Sequence, residues 1–197
     1  MKYSEDIHLN SVQVRKPANY PDGFPYQVPV IKTLEEVQFN TQVTFFVGEN
    51  GSGKSTLLEA IACAAGSTTF GSESVQTDRS LVAVRAFAKD LRLVWSKKTR
   101  KGFFLRAEDF IGYAKKLTQT REELESDLRQ VEKDYAHRSE TARIYARLAF
   151  TNELGAMKRE FGGRDLEAHS HGESFLALFK ARFVEGGLYL LDEPETP

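Results

Sequence analysis

Residues 48–56 have the residue types and the spacing of a site for phosphate groups. Their sequence, GENGSGKST, matches the pattern G-x-x-x-x-G-K-[ST]. Glycines let the backbone turn tightly and leave no Cβ between an amide and a bound anion. The free N–H groups and the dipole at the start of a following helix favour negative charge. The pattern therefore predicts a nucleotide site made of Gly48, Glu49, Asn50, Gly51, Ser52, Gly53, Lys54, Ser55 and Thr56.

Two side chains of this loop have a predicted chemical role. Lys54 would reach the β- and γ-phosphates, and the Ser55 hydroxyl would bind Mg²⁺. On either side, Val43–Val47 is predicted to be a buried strand and Thr56–Ala65 an apolar helix. The alternative, a glycine-rich turn without a ligand, does not account for the lysine, the hydroxyl and the strand–helix context together.

A second candidate for chemistry is a pair of acids near the C-terminus. Leu188–Leu191 is a wholly apolar run, typical of a parallel strand buried on both faces, and Asp192 and Glu193 follow it. Ligands of open α/β sheets bind beyond the carboxyl ends of the strands. Asp192 would therefore anchor Mg²⁺, through water, and Glu193 would be the general base that polarises an attacking water. The alternative is two acids at a surface turn.

A third motif, Ser170–Ser174 (SHGES), lies shortly before this strand and precedes a helical pattern, Phe175–Phe183. Serine and glycine before a helix form another anion site at a helix N-terminus, and Ser170 or Ser174 could cap the helix.

The order of these motifs resembles the ABC-type ATPase family. Its signature, usually written LSGGQ, corresponds here to His169–Glu173 (HSHGE), in which Ser170 and Gly172 match. The departures at His171 and Glu173 fit the soluble, non-transporter branch, which includes DNA-repair and chromosome-organising ATPases. More narrowly, the strings GFFLRAEDF, HGESFLALF and LYLLDEPE look like small bacterial predicted ATPases of the AAA/ABC type.

The resemblance implies a fold and an assembly. The fold would be an α/β P-loop NTPase with a mostly parallel central sheet and an antiparallel β edge. Residues 1–197 would be one domain, with a helical insert at about residues 108–162. Two subunits would sandwich two ATP molecules with Mg²⁺. Ser170, Gly172 and Glu173 of one subunit would then face the phosphate loop of the other in an ATP-dependent homodimer.

The resemblance also implies a further Mg²⁺ contact and a missing segment. The family has a glutamine between the two main motifs, and Glu108 is the candidate by position; the alternative is an acid favoured by a helix dipole. After Asp-Glu-Pro the family continues into a strand with a histidine that contacts the γ-phosphate. The chain ends at Pro197. We therefore expect the C-terminal part of the domain to be missing. Either the sequence is a fragment, or the functions of that part are absent; in the second case nucleotide binding should persist better than turnover.

The composition is that of an ordinary globular enzyme, with 197 residues and a net charge of −1. This balance gives no bulk attraction to nucleic acid. The one cysteine, Cys63, cannot form an internal disulfide and is predicted to be a small core residue. No apolar run is long enough to span a membrane, and the N-terminus has no signal-peptide core. These features predict a cytoplasmic protein.

The first forty residues are punctuated by prolines, which predict extended loop and short edge strands. Phe24 or Tyr26 could stack on adenine, as an upstream aromatic does in the resembled family. The alternative is that they cover the sheet edge. No histidine has a cysteine partner at metal-ligand spacing.

The middle of the chain is predicted to be strands and then helices. Leu81–Phe87, Leu91–Trp95 and Phe103–Arg106 are predicted strands. Between the last two, Ser96–Gly102 would be a basic hairpin tip; its Lys97, Lys98, Arg100 and Lys101 either are solvated or contact DNA. An apolar stripe from Leu117 to Tyr135 predicts helix, either a lever toward a partner protein or a packed subdomain.

The main hypothesis is Mg²⁺-dependent ATP hydrolysis, catalysed by Lys54 and Glu193, that drives a conformational switch in DNA repair or defence. One alternative is a nucleotide-gated interaction module with little turnover. Others are an ATP-dependent kinase, although no acceptor site is evident, and an ABC transporter ATP-binding subunit, which would need a membrane partner.

Overall fold

The computed structural model describes residues 7–16, 21–69, 74–160, 179–180 and 182–194, and it leaves out the side chains of residues 107, 108, 110, 111, 114 and 160. The chain divides into two compact units. The first comprises residues 1–110 and 184–196, and the second residues 111–183 with residue 197.

An antiparallel sheet lies in the first unit. Its strands are β1 (Leu9–Val14), β2 (Glu36–Gln38) and β3 (Leu91–Trp95), in the order β2-β1-β3. Val12 of the central strand faces Val37 on one side and Leu93 on the other, and it is fully buried. The predicted strand at Leu91–Trp95 is confirmed.

A parallel pair of strands carries the predicted acids. β4 (Gly102–Arg106) and β5 (Leu188–Asp192) run side by side, and Arg106 is the ladder partner of Asp192. The predicted strands at residues 103–106 and 188–191, and the parallel character of the latter, are confirmed. Complete burial of β5 is wrong, since only Leu190 is buried and its other residues are partly exposed. The described strands give β5 a neighbour on one side only.

The helix after the phosphate loop forms much of the core. This helix, α2 (Lys54–Ala65), buries Leu57, Leu58, Ala60, Ile61, Ala62 and Cys63. The predicted helix at Thr56–Ala65 is therefore confirmed. Cys63 is buried as predicted, and burial raises the pKa of its thiol to about 11. A short helix, α1 (Pro29–Thr33), was not predicted; proline begins it, as proline often does.

The predicted strand at Leu81–Phe87 is wrong. A 3₁₀ turn, Arg79–Leu81, leads into helix α3 (Val82–Ala88). Leu81, Val84 and Phe87 are buried at intervals of three residues, whereas Val82 is 59% exposed. Burial of every third residue fits a helix, whereas the alternation in the sequence LVAVRAF had suggested a strand.

The predicted buried strand at Val43–Val47, before the phosphate loop, is also wrong. Val43, Phe45 and Val47 are 66%, 83% and 92% exposed, and only Phe46 turns inward, where its ring contacts Phe39. Among the described residues no strand pairs with this segment. Without a neighbouring strand and its covering layer, the outer apolar side chains stay in solvent.

We expect Phe45→Lys to reduce self-association of the nucleotide-free protein. An exposed apolar segment with unpaired backbone is a template for intermolecular strand pairing, and a lysine opposes that pairing. Light scattering over a protein concentration series measures the effect. Val82→Lys is the matched control, because Val82 is exposed on a helix. Equal association of both variants and the wild type would contradict the expectation.

The part of the second unit that the structure describes is helical, with helix where the apolar stripe from Leu117 predicted it. Helix α4 (Ala107–Asp134) begins in the first unit and continues into the second, where α5 (Glu140–Glu160) follows. An ion pair at 3.2 Å joins Arg147 of α5 to Glu132 of α4. Among the described residues no helix is both long enough and apolar enough to cross a bilayer.

Candidate functional site

The phosphate loop leads directly into helix α2, with Gly53 as the N-terminal cap. Gly53 has φ of +106° and ψ of +16°, in the left-handed region, where side chains are strained. A Cβ at this position would also collide with the side chains of Val28 and Val30. The loop therefore requires glycine here for two independent reasons, conformation and space. Within the loop, the Ser52 amide donates a hydrogen bond of 3.2 Å to the Glu49 carbonyl, which closes the turn.

Lys54 lies across the mouth of this loop. Its Nζ donates to the carbonyl oxygens of Gly48 at 2.8 Å and Glu49 at 2.9 Å. The ammonium group is thus held at the loop by neutral acceptors. A phosphate oxygen is a stronger, charged acceptor, so the same ammonium could turn to it when a nucleotide arrives.

Ser55 and Asp192 meet, although 137 residues separate them in sequence. Ser55 Oγ, in the first turn of α2, donates to Asp192 Oδ1 at 3.0 Å, at the carboxyl end of β5. A hydroxyl and a carboxylate oxygen form a hard donor set of the kind that Mg²⁺ prefers, with substrate phosphates and water completing the shell. The residues present therefore fit the predicted Mg²⁺ contact.

Glu193 follows β5 immediately and is exposed to solvent. It is the one non-glycine residue among the described residues with positive φ, +47°. Such a backbone costs of order 1–3 kcal/mol and occurs often at functional sites. The structure places the Glu193 carboxylate one residue beyond Asp192, in solvent, where a water could reach it.

The side chains of the other predicted site residues lie outside the described part of the structure. Ser170, Gly172 and Glu173 are not among the described residues. Glu108 lies in the first turn of α4, the location of the helix-dipole alternative, and its side chain is not described. The phosphate loop with Asp192 and Glu193 is therefore the assembled part of the site.

The two aromatic candidates for adenine stacking differ in exposure. Tyr26 is buried, donates from its hydroxyl to Asp90 at 2.7 Å, and contacts the Phe87 ring edge-on. Tyr26 is therefore part of the hydrophobic core. Phe24 is 57% exposed and stays a candidate for stacking.

The basic run between β3 and β4 is not a hairpin tip, because these strands belong to different sheets. Lys97, Lys98, Arg100 and Lys101 are exposed, as a solvated loop requires. Thr99 Oγ1 in the same loop donates to the Gly186 carbonyl at 2.8 Å and thereby ties the loop to the start of β5.

An ionic cluster at the end of β4 was missed by the sequence reasoning. The Arg106 guanidinium donates to Asp109 at 2.8 and 3.1 Å and to Asp78 at 2.7 Å, and it lies 3.8 Å from Glu59. The Arg106 side chain is only 10% exposed. The available signal was an arginine that ends an apolar run, with an aspartate three residues later.

The contacts within the cluster favour the charged forms of Arg106 and Asp78. Burial opposes the charged form of Arg106, but the hydrogen bonds that its guanidinium donates to Asp109 and Asp78 outweigh this effect and raise the pKa of the guanidinium. Burial alone would raise the pKa of Asp78; hydrogen bonds from Ser80 and Arg106 instead hold it below its ordinary value of 3.8. The ionic contribution of Asp78 to stability is thus present above pH 3.8 and is lost as pH falls through the lowered pKa.

Metal binding by side chains alone has no support among the described residues, in which no group of three or more His, Cys, Asp or Glu could hold an ion. A cation at Ser55 and Asp192 would therefore need oxygen ligands from a bound nucleotide or water.

Comparison with known proteins gives one match. A family model described as an AAA domain matches residues 31–89, which include the phosphate loop, α2 and α3. This match supports an AAA-type, P-loop ATPase-like family and, in general terms, nucleotide binding and hydrolysis. Neither the curated proteins nor the solved structures give a match to the chain.

Proposed function

We propose that the chain binds and hydrolyses ATP with Mg²⁺ at the phosphate loop. The observation that carries the proposal is the hydrogen bond from Ser55 Oγ to Asp192 Oδ1 at 3.0 Å. It joins the first turn of the loop's helix to a carboxylate at the end of a parallel strand, where ligands of α/β sheets bind. The AAA-domain match to residues 31–89 supports the same reading.

Each residue of the assembled site has a role in this proposal. The loop amides and Lys54 stabilise the negative charge of the phosphates, which increases at the transferring group in the transition state. Ser55 and Asp192 hold the cation. Glu193 orients a water for in-line attack on the γ-phosphorus and accepts a proton from it. The new bond from the water oxygen to phosphorus forms as the bond from phosphorus to the bridging oxygen of ADP breaks, and the products are ADP and phosphate. Mg²⁺, when bound, would neutralise charge on the phosphate oxygens.

The finer parts of the proposal rest on the ABC-type resemblance. Ser170, Gly172 and Glu173 of a second copy would complete the site, with Glu108 as a further Mg²⁺ contact, so that ATP closes a homodimer and hydrolysis opens it. The same hypothesis includes a mostly parallel central sheet in a single domain and a cytoplasmic location. A partner protein or DNA would respond to the conformational switch.

Phosphate release from ATP by the purified chain, with and without Mg²⁺, tests the proposal. We expect Mg²⁺-dependent turnover that Asp192→Asn abolishes. ATP binding without turnover would instead favour the nucleotide-gated interaction module. Label transfer from ATP to an acceptor rather than to water would favour a kinase. Failure to bind ATP at all would contradict all three functions: the ATPase, the nucleotide-gated module and the kinase.

A further inference from the structure

Helix α2 is tied to the strand ends at two places, one helical turn apart. Ser55 donates to Asp192 of β5, and Glu59, four residues later, faces Arg106 of β4 at 3.8 Å. Residues four apart lie on the same face of a helix. Arg106 and Asp192 pair with each other at the carboxyl ends of β4 and β5, so both contacts reach the same end of the parallel pair.

Arg106 is itself held rigidly. Asp109 takes two of its hydrogen bonds, at 2.8 and 3.1 Å, and Asp78 takes another at 2.7 Å. Asp78 in turn accepts from the Ser80 amide at 2.9 Å, so the turn before α3 is fixed as well. A guanidinium with several fixed partners at 10% exposure has little rotamer freedom, and the Glu59 contact therefore constrains the position of α2.

We propose that Arg106 is a positioning residue for the cation and phosphate site. By holding α2 through Glu59, it sets the separation between the Ser55 hydroxyl and the Asp192 carboxylate. Arg106 touches neither nucleotide nor cation in this role. The inference rests on the proposed function, because it concerns the cation site of that same loop.

The effect is expected in the Mg²⁺ dependence of ATP binding. Partners that orient metal ligands commonly change metal affinity by about 10- to 100-fold when they are removed. Arg106→Gln and Glu59→Gln should therefore raise the Mg²⁺ concentration needed for tight ATP binding by about tenfold. Metal-free ATP binding, which depends on the loop amides and Lys54, should change much less, and Arg106→Lys should restore part of the effect.

Two controls separate positioning from general destabilisation. Val12→Ala removes two methyl groups from the fully buried centre of the antiparallel sheet, and Val12 is not a partner of Arg106. It should lower the melting temperature without changing the Mg²⁺ requirement. Glu59→Gln keeps Arg106 and its bonds to Asp78 and Asp109, so it reports on α2 even where Arg106→Gln fails to fold.

The experiment is a titration of the full chain with a fluorescent ATP analogue at a series of Mg²⁺ concentrations, with thermal unfolding of each variant alongside. A raised Mg²⁺ requirement in Glu59→Gln and Arg106→Gln, but not in Val12→Ala, supports the positioning role. An unchanged requirement in Glu59→Gln, with normal Mg²⁺ dependence in the wild type, overturns it and leaves the proposed function intact. A wild type without Mg²⁺-dependent binding overturns both.

Discussion

Lys54→Ala is expected to weaken ATP binding by about 10- to 100-fold, because a hydrogen bond to a charged group contributes about 1.5–3 kcal/mol. Hydrolysis should fall further, by about 10²–10³-fold, since the same ammonium stabilises charge that increases in the transition state. Equilibrium binding of a fluorescent ATP analogue and a phosphate-release assay measure the two effects separately.

Lys133→Ala is the matched control for this change. It removes the same charge from an exposed position on α4 and should leave ATP binding unchanged. Lys54 donates only to loop carbonyls at 2.8 and 2.9 Å among its described contacts, so its loss should alter the melting temperature little. Normal ATP affinity in Lys54→Ala would exclude the Gly48–Thr56 loop as the phosphate site.

Glu193→Gln is expected to stop turnover while ATP still binds. General-base catalysis contributes about 10²–10⁴-fold, and the amide of glutamine cannot accept the proton. Lys54, Ser55 and Asp192 stay in place, so ATP affinity should stay within about threefold of the wild type. If ATP closes a dimer, the variant should accumulate as that dimer, which light scattering with and without ATP detects.

Glu185→Gln provides the matched comparison, because Glu185 is an exposed glutamate shortly before β5. It should retain wild-type turnover. Undiminished hydrolysis in Glu193→Gln would show that another group orients the water. A turnover loss without an ATP-dependent dimer would separate the catalytic role of Glu193 from the two-subunit hypothesis.

The glycine turn and the helix after it could be predicted from the sequence because their requirements are local. Gly53 needs the left-handed backbone, and the helix after it follows from the apolar residues of α2. The strand before Asp192 could also be predicted, because a run of four apolar residues between turn residues is too short for an ordinary buried helix. The meeting of Ser55 and Asp192 followed from the rule that ligands bind at the strand ends.

The failures have a common cause, since they depend on what lies beside an element. Val43–Val47 reads as a buried strand, but burial needs a neighbour, and the described strands provide none. Apolar and polar residues alternate only weakly in Leu81–Phe87. The segment forms helix α3 because every third residue packs into the core. The sequence of a short segment does not show which other elements will pack beside it.

Arg106 was missed for a similar reason. Its partners Glu59 and Asp78 lie 47 and 28 residues away in sequence, and only Asp109 is local. An arginine at a strand end is ordinarily a surface residue. Only the fold shows that three carboxylates surround it.

The proposed Mg²⁺–ATP site, built from the Gly48–Thr56 loop and Asp192, is best tested by measuring ATP affinity with and without Mg²⁺. The titration compares the wild type with Asp192→Asn. We expect Mg²⁺ to tighten ATP binding by the wild type by about tenfold or more, and Asp192→Asn to abolish this gain while it retains metal-free binding. An equal gain from Mg²⁺ in both proteins, or no ATP binding by the wild type, would show that Asp192 and this loop do not form a Mg²⁺–ATP site.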